Sequence, residues 1–161
     1  MRFAYTIFSF LFFYSIFLPV QNCEETSPIN WEKQLSSVST LREEGYLKDA
    51  QTLADRILTL TREAFGEKDQ RTLRALHEFS ATLFSQDRFR EAEKMVRLGL
   101  ALRTDDSTAV SVGKIQDLEL LARIELASAA PVSARTHLTE ALEMHESLKE
   151  PSVKLEGRIF H

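Results

Sequence analysis

Residues Ala50 to Ala92 read AQTLADRILTLTREAFGEKDQRTLRALHEFSATLFSQDRFREA, and their pattern of small and apolar residues recurs at intervals of 42 residues. The recurrent residues fall into five columns: Ala50, Ala92 and Ala134; Ala54, Val96 and Leu138; Ile57, Gly99 and Ala141; Leu58, Leu100 and Leu142; and Leu60, Leu102 and Met144. Their relative positions of 0, 4, 7, 8 and 10 lie mostly on one face of an α-helix and predict a buried stripe. A fixed period in the range of roughly 20 to 50 residues indicates a solenoid, whose units bury their apolar faces against one another. Because a solenoid offers an extended surface rather than an enclosed pocket, the repeat favours a binding module.

Composition places the chain in the all-α class. Among 161 residues there are only 5 Gly and 4 Pro, and Leu, Ala and Glu are abundant after the N-terminal segment. The roughly 140 residues beyond that segment are enough for one domain. Lys and Arg number 20 against 24 Asp and Glu, and the charges are interspersed. The absence of a basic stripe argues against a nucleic-acid partner.

The first 22 residues have the layout of a secretory signal. Met1-Arg2 supplies one positive charge, Phe3–Val20 is almost entirely apolar, and the sequence turns polar from Gln21. The rival interpretation is an uncleaved signal anchor, since 18 residues approach the minimum length for spanning a bilayer. A buried core helix is a third interpretation, because this apolar segment has no polar face to meet water. We expect export, which predicts a secreted, periplasmic or envelope protein, membrane-anchored if the segment is retained.

Cys23 is the only cysteine, so an intramolecular disulfide is excluded. It directly follows Val20-Gln21-Asn22, which loosely resembles the lipidation motif of bacterial lipoproteins although Gln21 and Asn22 replace small residues. Two interpretations stay open, a lipidated cysteine that tethers the protein to a membrane and an incidental cysteine near a conventional cleavage site.

The remaining chain divides into a linker, three helix pairs and a short end. Two- or three-residue connections within each pair require antiparallel neighbours. In the first helix of the third pair we expect Ile115, Leu118, Ala122 and Leu126 to face the core, and in its second helix Leu138, Ala141, Leu142 and Leu148. The predicted segments are the linker 23–30, three repeats within 31–150 at about 31–66, 70–106 and 107–148, and a partial repeat or cap at 151–161. The predicted helices are 31–44, 47–63, 71–85, 88–103, 108–127 and 131–148.

The second repeat resembles tetratricopeptide (TPR) repeats, particularly the 42-residue kind of kinesin light chains. The resemblance is carried by Phe65-Gly66 followed by Thr72 between repeats, and by Ala81, Phe84, Phe89 and Ala92 within one. The usual His-Pro of the loop is Asp69-Gln70 here, and the usual turn Gly is Asp87. The resemblance implies a TPR-like superhelix, an α-solenoid of three antiparallel pairs that binds a protein or peptide on the concave face of its first helices. Carried onto this sequence, the partner-contacting candidates are Lys33, Ser36, Thr40, Glu43, Ala75, Glu78, Thr82 and Ser85.

The sequence offers no catalytic or cofactor-binding motif, so we expect neither enzyme activity nor a cofactor. His137, Glu140 and His145 could share one helix face as a metal site, but surface or interface histidine is the plainer interpretation. His77-Glu78 lacks the second histidine of a zinc-protease helix.

Two functional hypotheses remain. The first is an exported TPR adaptor or scaffold. The second is a membrane-tethered structural element, lipoprotein-like through Cys23 or anchored by Phe3–Val20, that self-associates through its C-terminal face. At that face Val153, Leu155, Ile159 and Phe160 are the apolar residues that could serve as cover.

Overall fold

The computed structural model describes residues 30–103 and 108–149. Of residues 108–111 and 149 it describes the backbone and not the side chains. The described chain is entirely helical and contains no strand, which confirms the all-α prediction. Every helix begins and ends within two residues of its predicted bounds. The six helices are α1 (Trp31–Glu43), α2 (Leu47–Phe65), α3 (Gln70–Ser85), α4 (Phe89–Leu102), α5 (Thr108–Ala127) and α6 (Pro131–Lys149).

The turn inside each pair has the same geometry, repeated every 42 residues. Gly45, Asp87 and Ala129 occupy one column of the repeat, and their φ angles are 87°, 59° and 58°. The next backbone N–H donates to the carbonyl five residues before it in all three turns, over 2.8 Å, 3.0 Å and 2.8 Å. This is the Schellman ending, in which a left-handed residue closes a helix. The period seen in the sequence is therefore also a period of the backbone.

The helices form three consecutive pairs. Each helix contacts the next one along the chain, and the first helices α1, α3 and α5 also contact one another in order. The core is continuous across the pairs because residues of one second helix pack with residues of the following first helix. Thus Ala54 and Leu58 of α2 pack with Ala75 and Leu76 of α3. This arrangement is the predicted α-solenoid of helix pairs.

The small columns of the repeat are buried as expected. Ala50 and Ala92 have no exposed surface and Ala134 only 1 %. The column of Ile57, Gly99 and Ala141 is buried as well. Leu58 is buried and Leu100 is half-buried.

The prediction that Leu138 and Leu142 are buried in the third pair is wrong. Leu138 is 43 % exposed and Leu142 57 % exposed, whereas Ala141 is buried and Leu148 is half-buried. In the first two pairs these columns are covered by the first helix of the following pair. No described helix follows α6, so the same columns face outward.

The prediction for Leu126 of α5 is also wrong, since that side chain is 54 % exposed. Helix α5 packs against α3, α4 and α6. The buried part of its circumference is therefore wider than the predicted stripe, and it extends from that stripe to Leu121 and Ile124. Ile115 lies near the edge of this buried part and Leu126 lies just beyond it.

Several predictions concern residues outside the described ones. These are the signal or anchor at 1–22, Cys23 with most of the linker, and the segment 151–161. No helix in residues 30–103 and 108–149 combines the length and apolar character needed to cross a bilayer.

Candidate functional site

A groove runs across the first helices of the three pairs. It encloses about 280 Å³ and takes its lining from α1, α3, α5 and the residue that follows α4. Glu32, Arg74 and Gln116 lie in one column of the repeat, so each first helix presents the same turn to the groove. The lining residues are Glu32, Leu35, Ser36, Ser39, Arg74, His77, Glu78, Arg103 and Gln116.

The structure brings two of the eight predicted contact residues, Ser36 and Glu78, into this groove. Ala75 and Thr82 were wrongly predicted to face a partner, because both have no exposed surface. Ala75 belongs to the core between α1, α2 and α3, and the Thr82 hydroxyl donates to the carbonyl of Glu78. The other four are exposed but lie outside the groove lining: Lys33, Thr40, Glu43 and Ser85.

On α1 the predicted contact residues and the groove lining differ by a rotation of about one residue. The predicted face of α1 passes through Lys33 and Thr40, whereas the groove is lined by Glu32 and Ser39, each one position earlier. One residue corresponds to about 100° around a helix, which is enough to turn a side chain out of a groove.

The charged groups of the groove already have partners within the protein. Arg42 donates to the carboxylate of Glu78 over 2.8 Å, with both side chains about one-fifth exposed. The guanidinium of Arg74 lies 3.6 Å from the carboxylate of Glu32 and 5.1 Å from the ring centre of Trp31. The groove therefore offers polar groups with nearly balanced charge.

A buried trio of charged and polar side chains forms one wall of the groove. Asp117 and Arg103 have side chains only 2 % exposed, and the Arg103 Nε donates to Asp117 Oδ2 over 2.8 Å. His77 Nδ1 lies 2.7 Å from the other oxygen, Asp117 Oδ1. A carboxylate that accepts from arginine offers no proton, so His77 Nδ1 is the donor in this contact. In the neutral ring His77 Nε2 is then an acceptor, on a side chain that is 20 % exposed and lines the groove.

The trio departs from the repeat pattern, and the packing of one helix pair on the next does not require it. The residues 42 positions before His77, Arg103 and Asp117 are Leu35, Thr61 and Ala75, which are buried without a charge. The junction of the first two pairs thus packs with uncharged side chains where the junction of the second and third contains an ion pair. This comparison of columns is the signal by which the sequence could have revealed the trio.

Two glycines make room for the trio. A Cβ on Gly113 would lie 2.7 Å from Arg103 Cζ and even closer to one of its terminal nitrogens. A Cβ on Gly99 would lie 3.1 Å from Asp117 Oδ2. Gly113 is therefore required by the close approach of the Arg103 guanidinium rather than by a special backbone angle.

A second buried carboxylate joins the helices of the third pair to α4. Glu125, whose side chain is 6 % exposed, lies 2.8 Å from His137 Nδ1 of α6 and accepts from Arg97 of α4 over 3.2 Å. Leu83 and Met95 occupy the columns of Glu125 and His137 one repeat earlier. His137 is thus an interface histidine. In the part of the chain that the structure describes, no group of three or more His, Cys, Asp and Glu side chains could hold a metal ion.

A shallower depression of about 360 Å³ adjoins the groove at the start of α3 and shares Glu32 and Arg74 with it. Asp69 caps α3 by accepting from the backbone N–H of Arg71, and its carboxylate also accepts from the Arg71 guanidinium over 2.8 and 3.0 Å. The side-chain hydrogen bond from Arg71 holds the pKa of Asp69 below its ordinary value, against a smaller opposing effect of desolvation. The same guanidinium lies 3.4 Å from the ring centre of Phe65.

The chain matches no protein-family model and no curated protein sequence.

Proposed function

We propose that this protein is an exported, non-catalytic interaction module of the TPR kind, an adaptor or scaffold that binds a peptide segment in the groove across α1, α3 and α5. The observation that supports it is the groove itself, because its lining comes from equivalent turns of three consecutive first helices. The signal-like layout of residues 1–22 supports the compartment, and the resemblance of the second repeat to TPR sequences supports the class.

The dimensions of the groove suit a short extended peptide. Packed helices lie about 8–10 Å apart, so the row of Glu32, Arg74 and Gln116 spans roughly 16–20 Å. An extended chain rises about 3.3 Å per residue, and five or six residues therefore match this row.

The chemistry of the lining suits a peptide main chain better than a strongly charged ligand. The carboxylates of Glu32 and Glu78 each have an arginine partner. The Ser36 and Ser39 hydroxyls donate to carbonyls of their own helix over 2.8 and 2.9 Å, which leaves their oxygens as acceptors for peptide N–H groups. Gln116 can both donate and accept. Main-chain recognition of this kind places few demands on peptide sequence.

The test is selection of peptides from a displayed library of random sequences against the full chain. Ser36→Trp fills the groove with an indole, and Ser133→Trp places the same side chain on an exposed position of α6 as the matched control. We expect selected peptides to bind the unchanged protein and the Ser133→Trp variant, and to lose at least about tenfold in affinity, about 1.4 kcal/mol, for Ser36→Trp. Failure to enrich any peptide, or equal loss in both variants, would contradict the proposal.

The exposed Leu138 and Leu142 favour a second candidate function, a membrane-tethered structural element that self-associates through α6. Its tether would be a lipidated Cys23 or the uncleaved segment Phe3–Val20. Mass spectrometry of the native N-terminus distinguishes cleavage, lipidation and retention. Light scattering of the full chain then decides self-association, since a monomer over a wide concentration range excludes this candidate.

A further inference from the structure

The outer side of α6 presents an apolar surface that the rest of the described chain does not cover. We define the terminal face by Leu138 and Leu142, which are 43 % and 57 % exposed. One and two repeats earlier the same columns hold Val96 and Ala54, with 1 % and 0 % exposed, and Leu100 and Leu58, which are half-buried and buried. The terminal face therefore consists of residues that the repeat elsewhere places in the core.

In both earlier pairs the covering element is the chain segment that follows directly. Leu58 packs with Leu76 of α3, which begins five residues after α2 ends at Phe65. Val96 packs with Leu120 and Leu121 of α5, the helix that follows α4. The chain thus turns back from the end of each second helix onto the outer side of that helix.

We propose that residues 153–160 of this chain occupy the terminal face. They follow α6 just as α3 follows α2, and a connection of about four residues, equal to the one between those helices, brings the chain to residue 154. The 42-residue shift places Phe160 in the column of Leu76 and Leu118, both only 2 % exposed. The apolar residues of the segment are Val153, Leu155, Ile159 and Phe160.

The charges of this segment complement those of α6 next to the terminal face. Leu142 is followed by exposed Glu143 and Glu146, so the part of α6 after the terminal face is acidic. The segment carries Lys154 and Arg158 against one acid, Glu156. Opposite charges around an apolar contact favour binding of this segment to the terminal face.

Disulfide trapping in the full chain tests the proposal. In a Cys23→Ser background, Leu142→Cys is combined with Ile159→Cys, which leaves Leu138 and Phe160 in place. The control combines Thr136→Cys with Ile159→Cys, because Thr136 is exposed about 120° around α6 from Leu142. After mild oxidation, non-reducing electrophoresis and mass spectrometry of proteolytic fragments identify the linked cysteines.

We expect the first pair to form a disulfide within one chain, and the control pair to form little. A disulfide between two chains would show that a second copy occupies the face and overturn the proposal. Absence of any disulfide in the first pair, or equal trapping in both pairs, would overturn it as well. None of these outcomes depends on peptide binding in the groove, so that function is tested separately. A disulfide within one chain would count against the second candidate function, which needs the same face for self-association.

Discussion

Replacing Arg103 by methionine should destabilise the protein strongly, because its buried guanidinium is the ion-pair partner of Asp117. Asp117 is only 2 % exposed, and the change leaves its carboxylate with His77 as its remaining partner. Removing one member of a buried ion pair typically costs about 3–5 kcal/mol, because the other charge stays desolvated and uncompensated. Urea unfolding followed by far-ultraviolet circular dichroism measures the loss.

The decisive control is a second substitution that restores stability. Asp117→Asn removes the charge, keeps the shape and leaves an oxygen for His77 Nδ1. A neutral buried amide with one unsatisfied side costs about 1–3 kcal/mol, so the double variant Arg103→Met/Asp117→Asn should recover roughly 2 kcal/mol of the loss. If the double variant is no more stable than Arg103→Met alone, the account of the trio as a buried ion pair is refuted.

Three further predictions concern the repeat itself. Ala129→Gly should stabilise the protein by about 0.5–1 kcal/mol in thermal unfolding, because φ is 58° there and glycine adopts that region without strain; an unchanged or lower midpoint would contradict the turn geometry. Ala92→Leu should cost about 1–3 kcal/mol by overpacking a side chain with no exposed surface, and an unchanged midpoint would mean that its column is not an interface. Asp69→Asn keeps a capping oxygen but does not titrate, and because Arg71 lowers the pKa of Asp69, the stability difference from the unchanged protein should be full above about pH 5. It should shrink as the pH falls below about 4 towards the lowered pKa of the folded state, whereas a difference independent of pH would show that the Arg71 contact does not perturb the carboxyl.

The helices were predictable because their determinants are local. The 42-residue period, the small residues at Ala50 and Ala92, and the turn at Gly45 specify pairs of helices with few alternatives. The exposure of Leu138 and Leu142 was not predictable from the repeat alone, since burial of each column depends on the pair that follows it. The repeat indicates which face of a helix can pack against a following pair, but not whether a following pair is present.

The sequence placed a candidate binding surface on the first helices, where the groove lies, but it did not identify most of the residues that line the groove. A rotation of one residue separates Lys33 from Glu32 on α1, and no local signal in this sequence determines which of them faces α3. The buried trio joins residues 14 and 40 positions apart in the chain, so it requires the tertiary structure. Only the changes within their columns mark these positions in the sequence: Leu35 is replaced by His77, Thr61 by Arg103 and Ala75 by Asp117.

Mapping of a selected peptide by NMR tests directly whether the groove across α1, α3 and α5 is the binding site. Backbone amide shifts of the labelled full chain are followed while the peptide is added. If the peptide binds in the groove, the largest changes cluster at Ser36, Arg74 and Gln116 on the three first helices. Exposed positions of the second helices, such as Asp55 and Thr139, stay unchanged. Largest changes on α2, α4 and α6, with the groove unaffected, would contradict it.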